Sequence, residues 1–159
     1  MKRSLSMGAA AFCLMMLAGA GSAQAQTASA SNPSSIQDAM QAAGFQAALS
    51  KGSDGDPMIT SGASGSKFVV LFYGCTSNRN CTSIQFYAGF SDSKMTVGDM
   101  NEWNKSKRFG HAYIDKDGDP CIEMDLDLDS GGMSRALFQD NLSVWSDLVS
   151  RFKTKVRGG

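Results

Sequence analysis

Apolar positions along the chain change their period several times, and each period predicts an element. Ile36, Met40 and Ala43 recur at helical spacing, with Pro33 suited to the first helical position, Asn32 offering a side-chain oxygen as cap, and Gly44 stopping the run. After the turn-rich segment Lys51-Gly52-Ser53-Asp54-Gly55-Asp56-Pro57, Met58 to Thr60 reads as extended and Gly62 to Gly65 as a tight turn, together a hairpin. Lys67 to Cys75 carries Phe, Val and Tyr on both parities, which predicts a central strand covered on both sides. Thr82 to Phe90 alternates instead, with Ile84, Phe86, Ala88 and Phe90 on one face and Ser83, Gln85 and Tyr87 on the other. These three strands form a meander.

Thr96 can cap the next helix, with Asp99 three residues on and Val97, Met100 and Trp103 as its apolar stripe, ending near Lys107. His111 to Asp115 and Cys121 to Leu128 flank Lys116-Asp117-Gly118-Asp119, whose Asp-Gly step is a hairpin signal because Gly accepts positive φ. In the second of these strands Ile122, Met124, Leu126 and Leu128 point one way and Glu123, Asp125 and Asp127 the other. After Ser130-Gly131-Gly132, Ser134 can cap a long helix on which Phe138, Leu142, Trp145, Val149 and Phe152 recur every three to four residues towards a basic end. The order α-β-β-β-α-β-β-α predicts an α+β domain in which helices pack on antiparallel sheet.

The N-terminus changes the picture of where this domain works. Lys2 and Arg3 precede an uncharged apolar run from Leu5 to Ala20, which gives way to Ala23-Gln24-Ala25, the small-residue pattern of a signal peptidase site. Residues 1–25 therefore read as a cleavable signal peptide cut between Ala25 and Gln26, and the apolar stretch is short for a membrane-spanning helix, which needs about 20 residues. Cys13 lies inside that run and is discarded with it. Residues 26–31, all Gln, Thr, Ala and Ser, read as a flexible leader, and 32–155 as a single domain. Without Lys2 and Arg3, 13 basic side chains face 15 acidic ones, a balance that points away from nucleic-acid partners. No later apolar run reaches membrane-spanning length, so the expectation is a periplasmic or secreted protein with no span after cleavage.

Several runs, taken in order, resemble a known family: Glu102-Trp103-Asn104, Lys107-Arg108-Phe109, Ala112-Tyr113-Ile114-Asp115, Asp117-Gly118-Asp119-Pro120, Glu123 to Leu128, and Gly131-Gly132. With Gly55-Asp56-Pro57, Phe72-Tyr73-Gly74-Cys75 and Trp145, they resemble the YbjN family of bacterial sensory transduction regulators over Asp56 to Phe152. The resemblance implies a fold similar to type III secretion chaperones, often seen as dimers, and it implies no catalytic residues. Unlike cytoplasmic members, this chain carries an export signal.

Candidate chemistry is sparse. Nucleophilic catalysis needs a base near the nucleophile, and His111, close to Arg108 at the start of a strand, is the sole histidine. Asp115 to Asp119 has the alternate carboxylates of a calcium loop, but position six is Pro120 and position twelve Leu126, so a plain hairpin is the better reading. Three cysteines and one histidine after cleavage lack zinc-ligand spacing, so neither metal nor other cofactor is expected. Glu123, Asp125 and Asp127 form a solvated strand face or, in the alternative, the carboxylates of a small periplasmic hydrolase. Cys75 and Cys81 end one predicted strand and begin the next, which brings them together as a disulfide in an oxidising compartment and leaves Cys121 unpaired; two free turn cysteines are the other reading. Trp103 fits core packing, with an interaction anchor as the alternative, and Phe109 and Tyr113 could form an exposed aromatic patch. The functional expectation is a non-enzymatic binding or chaperone-like module of the cell envelope, with stress or signalling regulation as its setting. Its partner is an unidentified protein or a second copy in a homodimer.

Overall fold

The computed structural model describes residues 27–91 and 93–158; the segment 1–25 read as a signal peptide, and its expected cleavage between Ala25 and Gln26, lie outside them. In chain order the elements are β1 (Thr27–Ala28), α1 (Pro33–Ala42), β2 (Ala47–Lys51), β3 (Pro57–Ala63), β4 (Ser66–Tyr73), β5 (Ser83–Gly89), α2 (Val97–Ser106), β6 (His111–Ile114), β7 (Pro120–Asp127), β8 (Met133–Ser134) and α3 (Arg135–Gly158). Strands β2 to β7 form an antiparallel sheet in the order β2-β3-β4-β5-β7-β6, and β1 pairs with β8 in a small second sheet. The fold is α+β.

Period-two alternation assigns the sheet an inner and an outer face. Ile59 and Ala63, Phe68, Val70 and Phe72, Ile84, Phe86 and Ala88, and Ile122, Met124 and Leu126 are all buried on the inner face. Helix α3 lays Phe138, Leu142, Trp145, Val149 and Phe152 against them, and α1 adds Ile36, Ala39 and Met40. At the centre Trp145 stacks on Phe86 at 5.6 Å and meets Phe68 edge-on at 5.8 Å. Burial of each such side chain is worth on the order of 1.5–3 kcal/mol, so this layer supplies most of the stability.

The ends of the helices follow local chemistry. Thr96 Oγ1 accepts from the Asp99 N–H while Asp99 Oδ2 accepts from the Thr96 N–H, a reciprocal cap at α2. The Thr96 hydroxyl, which also donates to Asp99 Oδ2 at 2.7 Å, and then the Thr96 N–H hold the Asp99 carboxyl below the usual carboxylate range, with Lys155 a lesser cause. Ser134 Oγ accepts from the Leu137 N–H at the start of α3.

Several sequence expectations need correction. The meander has four strands, because Ala47–Lys51 forms β2; its mixed Ala, Leu, Ser and Lys pattern buries nothing fully and so gave no hydrophobic signal. Strand β4 is covered on one side only, with Val69 and Leu71 half-buried and Tyr73 exposed. The turn after β3 is confined to Ser64 and Gly65, both at positive φ. Asn32 makes no side-chain cap to α1; instead Ser35 Oγ donates to its carbonyl at 2.6 Å. Val97 is exposed and does not join Met100 and Trp103. Within 26–31, read as a flexible leader, Thr27–Ala28 pairs with Met133–Ser134, and Ala28 and Ala30 are buried. The fit depends on size: a Cβ on Gly132 would collide with the Ala28 carbonyl oxygen.

Candidate interaction site on the open sheet face

The outer face is built by the other parity of the same strands. Met58 lies beside Leu71, Leu71 beside Gln85 and Gln85 beside Asp125; in the next row Thr60, Val69, Tyr87, Glu123 and His111 follow one another across the sheet. Helices α1 and α3 pack on the inner side, and among the described residues no helix covers this one. It therefore presents a half-buried apolar strip, Met58, Val69 and Leu71, next to a strip of tyrosines and carboxylates.

Glu123 is the hub of the second strip. Its side chain is 12% exposed, and its two oxygens accept from three donors: Tyr113 Oη at 2.5 Å, His111 Nε2 at 3.0 Å and Gln85 Nε2 at 3.3 Å. Gln85 Nε2 also donates to Asp125 Oδ1 at 2.9 Å, and Gln85 Oε1 accepts from Tyr73 Oη at 3.3 Å. Side chains from β4, β5, β6 and β7 are thus joined in one network. Burial, followed by the hydrogen bond to Glu123, pushes the Tyr113 hydroxyl far above its ordinary pKa. Burial and the charges of Glu123, Asp125 and Asp54 raise that of Tyr73. All three tyrosines of this face stay protonated well past neutral pH.

Beside the hub, Cys121 is fully buried although it points to the outer face. Tyr87 Oη lies 3.0 Å from its sulfur. The close approach exists because Gly89 stands opposite Cys121: a Cβ there would meet the Tyr87 hydroxyl at 3.0 Å. Burial pushes the Cys121 thiol up to about 11, with Asp115 and Glu123 adding to the shift, so the nucleophilic thiolate is scarce at neutral pH. Burial followed by the bond to Cys121 raises Tyr87 far above its ordinary value. Asp115 Oδ1 accepts from the N–H groups of Asp117 and Asp119, both at 2.9 Å. Those bonds, the one from Asp119 foremost, lower its pKa. The first carboxylate of the loop that resembles a calcium site is thereby committed to shaping the hairpin. Among the described residues no three His, Cys, Asp or Glu side chains are grouped to hold a metal ion.

Cys75 and Cys81 are joined as a disulfide. The loop they close is tied to the β2–β3 turn by Asn78 Nδ2, which donates to Asp56 Oδ1 at 2.7 Å and to the Asp54 carbonyl at 3.3 Å. Trp103 is buried against Phe152 with ring centroids 4.9 Å apart, which removes it as an exposed anchor. Phe109 is 64% exposed at φ +70°, strained for an aromatic residue, with the Arg108 guanidinium 5.0 Å from its ring centre. It lines a groove of about 470 Å³ with Lys107, Val144, Leu148 and Arg151, whereas Tyr113 belongs to the Glu123 network, so the two do not form one patch. Sequence reading placed Glu123, His111 and Tyr113 on adjoining strands but missed Gln85, Tyr73 and Tyr87 as members. The usable signal was the alternation of Thr82 to Phe90, which already set Gln85 and Tyr87 outward.

In comparison with protein families, the YbjN family model, described as "putative bacterial sensory transduction regulator", matches residues 32–157. No curated protein matches the chain.

Proposed function

The chain belongs to the YbjN family, and from that premise we propose that it is an exported, non-enzymatic binding module that takes a polypeptide partner on its open sheet face, in a regulatory or chaperone-like role. The observation that carries this reading is the uncovered outer face, where the apolar strip of Met58, Val69 and Leu71 runs beside Glu123, Asp125 and Asp127. A segment with apolar side chains flanked by Lys or Arg matches both strips. The hydroxyls of Tyr73, Tyr87 and Tyr113 are anchored, so these rings stand as preorganised contacts with little rotamer freedom left to lose on binding.

Export is part of the same proposal. The N-terminal pattern and a disulfide at Cys75–Cys81 both favour an oxidising compartment, the periplasm or beyond. Intact mass of the protein recovered from the cell envelope should correspond to a chain starting at Gln26.

The binding claim is tested by immobilising the protein and passing envelope extract over it at low and high salt. The expected result is a retained protein that elutes with salt, as an acidic face requires, and that is lost with Leu71→Lys. The hydrolase alternative rests on the 3.0 Å contact between His111 and Glu123. Turnover abolished by His111→Ala, Glu123→Gln or Asp125→Asn, with no retained partner, would overturn the binding module in its favour.

A further inference from the structure

Three segments remote in sequence meet around a pocket of about 650 Å³: the start of β4, the loop from β5 to α2, and the last turn of α3. Each contributes one cation to the lining, Lys67, Lys94 and Arg157 in turn, and the first two add the hydroxyls of Ser66, Ser91 and Ser93. A fourth cation stands at the rim. Lys153 Nζ donates to the carbonyls of Ser64 and Gly65 at 2.7 and 3.1 Å, and Gly65 lines the pocket. Among the described residues no carboxylate lines it, and none of Lys67, Lys94 and Arg157 has an ion-pair partner. Asp92, between Ser91 and Ser93 in sequence, lies outside the described residues. The helix dipole accounts for a cation in the last turn of α3. It does not account for Lys67 and Lys94, which a strand and a loop bring to the same pocket. Like charges gathered without counter-charges repel one another, and a bound anion relieves that repulsion.

We infer that this pocket binds a phosphate group, carried by a soluble ester or a lipid head, with Lys67, Lys94 and Arg157 as its cations and the serine hydroxyls as further donors. A phosphate presents several acceptor oxygens and up to two negative charges, so donors arriving from three sides can be satisfied together. Arg157 can take two of those oxygens in parallel, while the lysines act as point charges. Ser93 Oγ accepts from the Met95 N–H at 3.3 Å, which leaves its own proton to donate. A lone carboxylate, with two oxygens and one charge, would leave most of these donors unused. The pocket shares no residue with the Glu123 network, and the inference does not rest on the open face taking a polypeptide.

Two arms test it at low ionic strength: titration of the purified protein with pyrophosphate, followed by amide chemical shifts, and sedimentation with phosphatidylglycerol or phosphatidylcholine vesicles. Expected in the first is a saturable response centred on residues 65–67, 93–94 and 156–157. A pyrophosphate response without vesicle binding assigns a soluble ester, and binding to phosphatidylglycerol but not phosphatidylcholine assigns a lipid head; either supports the site. In the arm that responds, Lys67→Gln and Lys94→Gln should each weaken binding about five-fold. Lys105→Gln and Lys116→Gln, at exposed lysines elsewhere, should leave it unchanged. Asp92→Asn should strengthen it, since a carboxylate in the same loop opposes an anion. No response in either arm, shifts spread evenly among the surface lysines, binding that Lys67→Gln and Lys94→Gln leave intact, or weakening by Asp92→Asn would overturn the proposal.

Discussion

The same strands present two faces of opposite character. Inward, Phe68, Phe86 and Phe72 are buried under an aromatic helix; outward, Val69, Leu71, Tyr73, Gln85 and Tyr87 are left partly open beside three carboxylates. The inner face follows the rule that apolar area removed from water stabilises. The outer face keeps apolar and acidic groups exposed although α3 shows that the chain can cover a sheet. On the proposed reading, stability and binding fall on opposite sides of one sheet, so substitutions on the two sides should separate them.

The largest effect is expected inside. Phe86→Ala leaves a cavity beneath Trp145 and Phe138 and should cost about 3–5 kcal/mol in urea unfolding. Next comes the short disulfide loop, where Cys75→Ser should cost roughly 2 kcal/mol, measured against wild type under non-reducing conditions. Outside, Glu123→Gln and Tyr113→Phe should each cost about 1 kcal/mol or less by the same measurement while impairing partner binding. A loss on the outer face as large as that of Phe86→Ala would erase the division between the faces.

A pH series sharpens the same contrast. Tyr73, Tyr87, Tyr113 and Cys121 all have raised pKa values in the folded protein. Their contribution is complete below the unfolded values, near 9 for the thiol and 10 for tyrosine, and is lost as pH rises towards the folded ones. Unfolding free energy should therefore fall above about pH 9, and Tyr113→Phe and Tyr87→Phe should flatten the fall. An unchanged slope in both variants would mean that the outer tyrosines are not coupled to folding.

Much of the fold was legible because burial leaves a period in the sequence. The α3 stripe, the alternation of Thr82 to Phe90 and the Asp-Gly hairpin each follow from one residue pattern acting locally. Strand β2 was not legible, since an edge strand with little burial has no such period. Nor was the coverage of β4, because Val69 and Leu71 look the same in sequence whether a helix lies over them or not. Of the candidate site, the strands of His111, Tyr113 and Glu123 could be read, but their convergence with Gln85 depends on register between strands nearly forty residues apart. Cross-strand register is a property of the assembled sheet, which no local spacing encodes.

The central claim is that the open face receives a polypeptide partner, and photo-crosslinking in growing cells tests it most directly. A photoreactive phenylalanine analogue at Leu71, on that face, is compared with one at Leu137, which is exposed at the start of α3. Leu71 should yield a discrete adduct that Glu123→Gln weakens, while Leu137 yields none of that species. No adduct from Leu71, or the same adduct from both positions, would contradict the claim.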